Sequence, residues 1–127
     1  RGSPRRIEDS PVEIQHTVIV FDAADIATES AFWAAVLGGT VDPTDDWHSI
    51  RVDGQTRMAV QLAPDHIPPD WPDGNPQQIH VDLWVADIDP AEAEVLRLGA
   101  RLLKAVDEEG FRVYADPAGH PFCLCRH

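Results

Sequence analysis

Residues Ile14 to Phe21 (IQHTVIVF) are a β-branched run of strand length, and Ala27 to Leu37 (ATESAFWAAVL) is a helical pattern that stops at Gly38-Gly39. The same grammar returns in Gln78 to Val85 (QIHVDLWV), a turn at Ala86-Asp87, and a helix from Ala91 to Leu98 ended by Gly99. Asp89 reads as the N-cap of that second helix, with Pro90 at the first helical position and Glu92 completing a capping box. His80 lies 64 residues after His16 and Asp89 lies 64 after Asp25, while Phe122-Cys123 follow Val60-Gln61 by 62. A self-similarity of this length predicts an internal duplication.

The segments after each helix correspond as well. Thr40 to Asp42, Trp47 to Val52 and Arg57 to Leu62 match Arg101 to Ala105, Phe111 to Ala115 and Phe122 to Arg126. Each half therefore reads β-α-β-β-β, and the fold class expected is α+β, two tandem modules forming a cupped mixed sheet. Module one spans 13–62 and module two 79–127. Between them APDHIPPDWPDGNPQQ, 63–78, carries five of the eleven prolines and reads as a linker. Residues 1–12 are expected to be a disordered or artificially appended segment, and 13–127 a single domain.

Alternation along the strands assigns faces. Ile79, Val81, Leu83 and Val85 form an apolar row for the helix side, opposite His80, Asp82 and Trp84. Met58, Val60 and Leu62 likewise oppose Arg57, Ala59 and Gln61, and Phe122 and Leu124 oppose Cys123 and Cys125. His16, Gln61, His80 and Cys123 are thereby predicted on the faces that the helices leave free.

Composition narrows the function. Ten Lys and Arg against 22 Asp and Glu give a formal charge of -12, a field that repels nucleic acid, and no partner of that kind is expected. No apolar run approaches the roughly 18 residues of a spanning helix, so no membrane partner is expected and the chain reads as cytoplasmic. Cys123 and Cys125, two apart, read as free thiols.

The duplicated unit, the opening HTVIVFDAADIATESAFWAAVLGG, the second opening IHVDLWVADIDPAEAEVLRLGARLL and the ending VYADPAGHPFCLC resemble the vicinal oxygen chelate superfamily. The likeness is to its glyoxalase-like, bleomycin-resistance-related single-domain members, and it covers about residues 13 to 126. Metal-binding members of that superfamily draw ligands from positions that here hold His16, Gln61, His80 and Cys123. The resemblance therefore implies a divalent metal, zinc or another transition ion, as a candidate cofactor. Cys123 stands where similar enzymes carry a Glu, which disfavours both glyoxalase I and extradiol dioxygenase activity. The resemblance also implies a homodimer.

Each residue has a plainer alternative. His16 and His80 also read as hydrogen-bonded pocket residues, Gln61 as a polar pocket residue, and Cys123 as a small buried hydrophobe. Trp84, beside His80 and Asp82, suits a planar or cationic ligand, or else packs against a neighbouring module or subunit. Trp33 and Trp47 read as packing, and His48 and His66 as surface residues. No carboxylate pair placed for acid–base work is evident, and Asp116 reads as a turn residue. Two functions remain in view. One is binding of a hydrophobic or cationic small molecule, as in drug sequestration, with His16, Gln61, His80, Asp82, Trp84 and Cys123 around it. The other is a metal-dependent lyase or isomerase holding its ion through His16, Gln61, His80 and Cys123.

Overall fold

The structure, a computed structural model, describes residues 14–127, and the expectation for 1–12 lies outside the described residues. The first module runs β1 (Ile19–Ala23), α1 (Ile26–Leu37), β2 (Thr40–Pro43), β3 (Trp47–Val52) and β4 (Gln55–Leu62). The second runs β5 (Val81–Trp84), α2 (Ile88–Leu98), β6 (Arg101–Val106), a short 3-10 turn (Asp107–Glu109), β7 (Phe111–Ala115) and β8 (Pro121–Cys125). The two sheets have orders β1-β4-β3-β2 and β5-β8-β7-β6. In each the first strand pairs parallel with the last, and the other neighbours are antiparallel. The duplicated α+β architecture is the one expected. No helix among the described residues is long and apolar enough to cross a membrane.

The helix starts show how local chemistry sets the repeat. Asp25 caps α1 by accepting from the Thr28 N–H at 3.1 Å, and Gly38, at φ 70°, closes its other end in the left-handed conformation. In α2 the cap is Asp87 and not Asp89, so the helix begins at Ile88. Asp89 and Glu92 do not form the expected capping box. They accept instead from the Arg112 guanidinium on β7, at 2.9 and 3.1 Å, because a charged donor outcompetes a backbone N–H for a carboxylate.

This moves the match between the modules. The caps Asp25 and Asp87 are 62 residues apart, the same spacing as the last strands. The counterpart of His80 is thus Val18, two residues beyond His16, and the 64-residue match does not hold.

The helix-side rows meet in one core. Phe21, Met58 and Val60 of the first sheet join Phe32 and Trp33 of α1, and the same cluster takes in Tyr114, Phe122 and Leu124 of the second sheet. Phe21 stacks on Trp33 at 5.3 Å, and Trp33 meets Phe122 edge-on at 5.3 Å. Val81, Leu83 and Val85 pack against this cluster as the alternation predicts, whereas Ile79, ahead of the first ladder pair, is exposed. One shared core binds the modules, and each sheet's free face points away from it. Residues 63–78 form turns without helix or strand, and Trp71 from this segment packs against the free face of the second sheet.

Candidate functional site on the free face of the second sheet

The sites begin from what β8 presents. Phe122 and Leu124 turn into the core, so Cys123 and Cys125 turn the other way, joined by Val113 of β7. On the neighbouring strand Asp82 lies opposite Cys123 and Trp84 opposite Cys125, with His80 just before the strand begins. Trp71, Leu103 and Phe111 complete the apolar wall. All of these except Leu103 line a cavity of about 450 Å³, which also receives Gln77, Lys104, Glu109 and Arg126.

The polar groups are sparse. The His80 Nε2 and an Asp82 carboxylate oxygen are 3.2 Å apart, both about two-fifths exposed. Burial, and then the Asp82 charge, pushes the Cys123 thiol up to about 12, and the same causes raise Cys125. Both sulfurs present neutral thiols at neutral pH, a soft and weakly polar surface. Trp84 is 59% exposed and stacks on His127 at 4.7 Å. One ligand atom each from His80, Asp82 and Cys123 lies within 4.8 Å of the others.

Of the predicted site residues, His80, Asp82, Trp84 and Cys123 come together. His16 and Gln61 do not join them. His16 is exposed and lines a separate cavity with Gln15, Thr17 and Gln55–Arg57, and Gln61 is exposed on β4 opposite Asp22. Trp33 is fully buried and Trp47 half-buried, as expected of packing residues. His48 and His66, expected at the surface, are half-buried: His48 Nδ1 is 2.7 Å from the Ser30 hydroxyl, and His66 Nε2 is 3.0 Å from the Ala118 carbonyl. Cys125 and Trp71 complete the site. Cys125 shares its face with Cys123 by the period of the strand, but nothing local in a proline-rich segment told where Trp71 would land.

The fold also makes a carboxylate pair absent from the sequence reading. Glu29 on α1 and Asp116 in the turn before β8 are both buried, at 1% and 4% exposure. Trp33 Nε1 donates to Asp116 at 2.8 Å, and the Ala118 N–H donates to Glu29 at 3.1 Å. Burial, followed by the hydrogen bond and charge of Asp116, pushes the Glu29 carboxyl up to about 10.

A family model for the glyoxalase-like domain matches residues 18–125. The chain belongs to the glyoxalase-like domain family. Solved structures similar to this glyoxalase-like domain include fosfomycin resistance protein FosX from Mesorhizobium loti, at 14% identity and TM-score 0.67 over 90% of this chain and 93% of that one. A glyoxalase-related enzyme from Fulvimarina pelagi matches at 17% identity and TM-score 0.66, covering 90% and 89%. TnmS3, an antibiotic binding protein from Streptomyces sp. CB03234, matches at 18% identity and TM-score 0.56, covering 91% and 98%. At these identities the likeness establishes the vicinal oxygen chelate fold. No curated protein matches the chain.

Proposed function

We propose that this glyoxalase-like domain binds a hydrophobic, planar small molecule on the free face of its second sheet and acts by holding it, as in drug sequestration. The observation that carries this reading is the cavity itself. At about 450 Å³ it falls within the usual range for small-molecule sites, and Trp71, Trp84, Phe111, Val113 and two neutral thiols wall it. The chain's large negative charge does not make the cavity acidic, because Asp82 and Glu109 are offset there by Lys104 and Arg126. Cation–π attraction on Trp84 therefore supplements stacking and does not dominate it. The resemblance in fold to an antibiotic binding protein accords with holding and not converting.

The test is a thermal-shift and calorimetry screen of aromatic and cationic compounds, including antibiotics, followed by Trp84→Ala. A ligand should raise the melting temperature, and Trp84→Ala should weaken it about fivefold, a loss of about 1 kcal/mol. Turnover that depends on added metal, with no ligand held, would overturn the reading.

A second reading rests on a different observation, the convergence of His80, Asp82 and Cys123 within 4.8 Å. A thiolate, an imidazole and a carboxylate with an open fourth position suit zinc, so the donor set fits a divalent ion. Such an ion would supply Lewis-acid polarisation of a substrate oxygen in a lyase or isomerase. His16 and Gln61 would join it only from a second copy, which makes a homodimer part of this reading. Exposed Ile14, Ile19 and Val20 in the first module offer apolar surface for that contact. Metal analysis of protein purified without chelator decides it: stoichiometric metal lost in His80→Ala supports the site, and metal-free parent protein contradicts it.

A further inference from the structure

The cavity on the second sheet is unevenly charged, and the strand registers show how. Lys104 of β6 lies opposite Val113 of β7, Val113 opposite Cys123 of β8, and Cys123 opposite Asp82 of β5. Lys104 and Asp82 therefore end one row across the sheet, three strand steps of about 4.8 Å apart, or about 14 Å. Salt screens each from the other, since the Debye length is about 8 Å at physiological ionic strength. Asp82 is already partnered: His80 Nε2 is 3.2 Å from its carboxylate, and the Cys123 thiol lies beside it. Lys104 has no carboxylate within ion-pair reach among the described residues, and neither has Arg126, the other cation on the cavity.

A local irregularity in β6 makes this placement. The register with β7 shifts between Leu102 and Lys104, so Leu103 has no partner in the pairing. Leu103 packs with the free-face cluster, and the next residue, Lys104, lines the cavity on the same face. Strict alternation from Leu103 would send Lys104 to the helix side, and the bulge turns it to the cavity instead. The corresponding strand of the first module, β2, pairs with β3 without such a shift. At another rim the Arg126 guanidinium lies over Gly110 and donates to the Asp107 carbonyl at 3.1 Å, which steadies it without neutralising it. Glu109 also lines the cavity and forms an ion pair with neither cation.

Resting on the reading of this cavity as a site for a planar molecule, we propose that its ligand is an aromatic acid, its anionic group held by Lys104 at the β6 edge and its ring lying across Val113 and Cys123 towards Trp84.

The strip between the charged ends offers no partner for a charge, because Val113, Phe111 and the two neutral thiols wall it. A charged group on the ligand is met only at the edges. An amine at the β5 edge competes with His80 for Asp82, whereas an acid at the β6 edge displaces only water from Lys104. Arg126 adds positive potential over the same cavity. The net charge of -12 does not forbid an anion here, since distant carboxylates are screened and Lys104 is in contact.

Calorimetric titration of the full chain with naphthoate, its neutral amide naphthamide, and naphthylmethylamine tests this, in salt of about 0.15 M. The three share a ring system and differ in charge. Naphthoate should bind about fivefold more tightly than the amide, the size expected of one partly exposed ion pair, and the amine no more tightly than the amide. Lys104→Met keeps the aliphatic stem on an exposed edge strand. It should bring naphthoate to within about twofold of the amide without moving the amide's own affinity, and Lys104→Arg should restore the preference. An amide bound as tightly as the acid, an amine bound tightest of the three, or a preference that survives Lys104→Met overturns the inference and leaves the cavity reading intact. Failure of all three to bind overturns both.

Discussion

The first sheet turns Asp22 and Gln61, paired on neighbouring strands, out to solvent, with His16 exposed ahead of β1, while the second gathers His80, Asp82, Trp84, Cys123 and Cys125 around one cavity. The two sheets share strand order and helix placement. What separates them is the segment between the modules: Trp71 packs against the second free face, beside Leu103 and Phe111. Duplication reproduced the side of each sheet that makes the core. The free sides diverged, and the irregular segment adds an aromatic wall, Trp71, to the cavity on the second.

The comparison breaks first at the core. Phe122 lies in β8 of the second module yet contacts Phe32 and Trp33 of the first. Phe122→Ala should cost about 3–5 kcal/mol and lower the stability of both modules together, read as a single shifted transition in urea by fluorescence and circular dichroism. Two separated transitions would show that the modules do not share one core.

The next largest effect is at the junction, through pH. Glu29 stays protonated in the fold up to about 10 and ionises in the unfolded chain above its ordinary 4.5. The unfolded state therefore binds fewer protons across that window, and the contribution of Glu29 to stability is full below about 4.5 and lost as pH rises toward 10. Urea unfolding at a series of pH values should show the parent losing stability relative to Glu29→Gln across this range. Parallel profiles would contradict the buried, protonated acid.

Much of this was legible from residue order. The period of two in QIHVDLWV and in PFCLC separated Val81, Leu83, Phe122 and Leu124 from His80, Asp82, Trp84 and Cys123, because a strand between core and solvent has no other way to place them. The true counterpart of His80, Val18, was not, because the likeness of His16 to His80 masks the 62-residue spacing that the caps set, and Arg112 draws Asp89 away from its apparent capping role. Glu29 and Asp116 are 87 residues apart, and a charged residue in the first turn of a helix reads as solvated until the partner module covers it.

The smallest effect sharpens the contrast between the two free faces. His16→Ala and Gln61→Ala should leave small-molecule affinity within about twofold if each face acts alone, since neither side chain lines the cavity on the second sheet. A larger loss, accompanied by a dimer in light scattering, would show that a second copy brings the first module's face to the site.

The most direct measurement is a map of ligand-induced amide chemical shifts on the isotope-labelled domain, using a compound that raises its melting temperature. The account predicts that the shifts cluster at Trp71, Asp82, Trp84, Val113, Cys123 and Cys125 and spare Asp22 and Gln61. Shifts centred on the first sheet, or spread through the shared core, would contradict it.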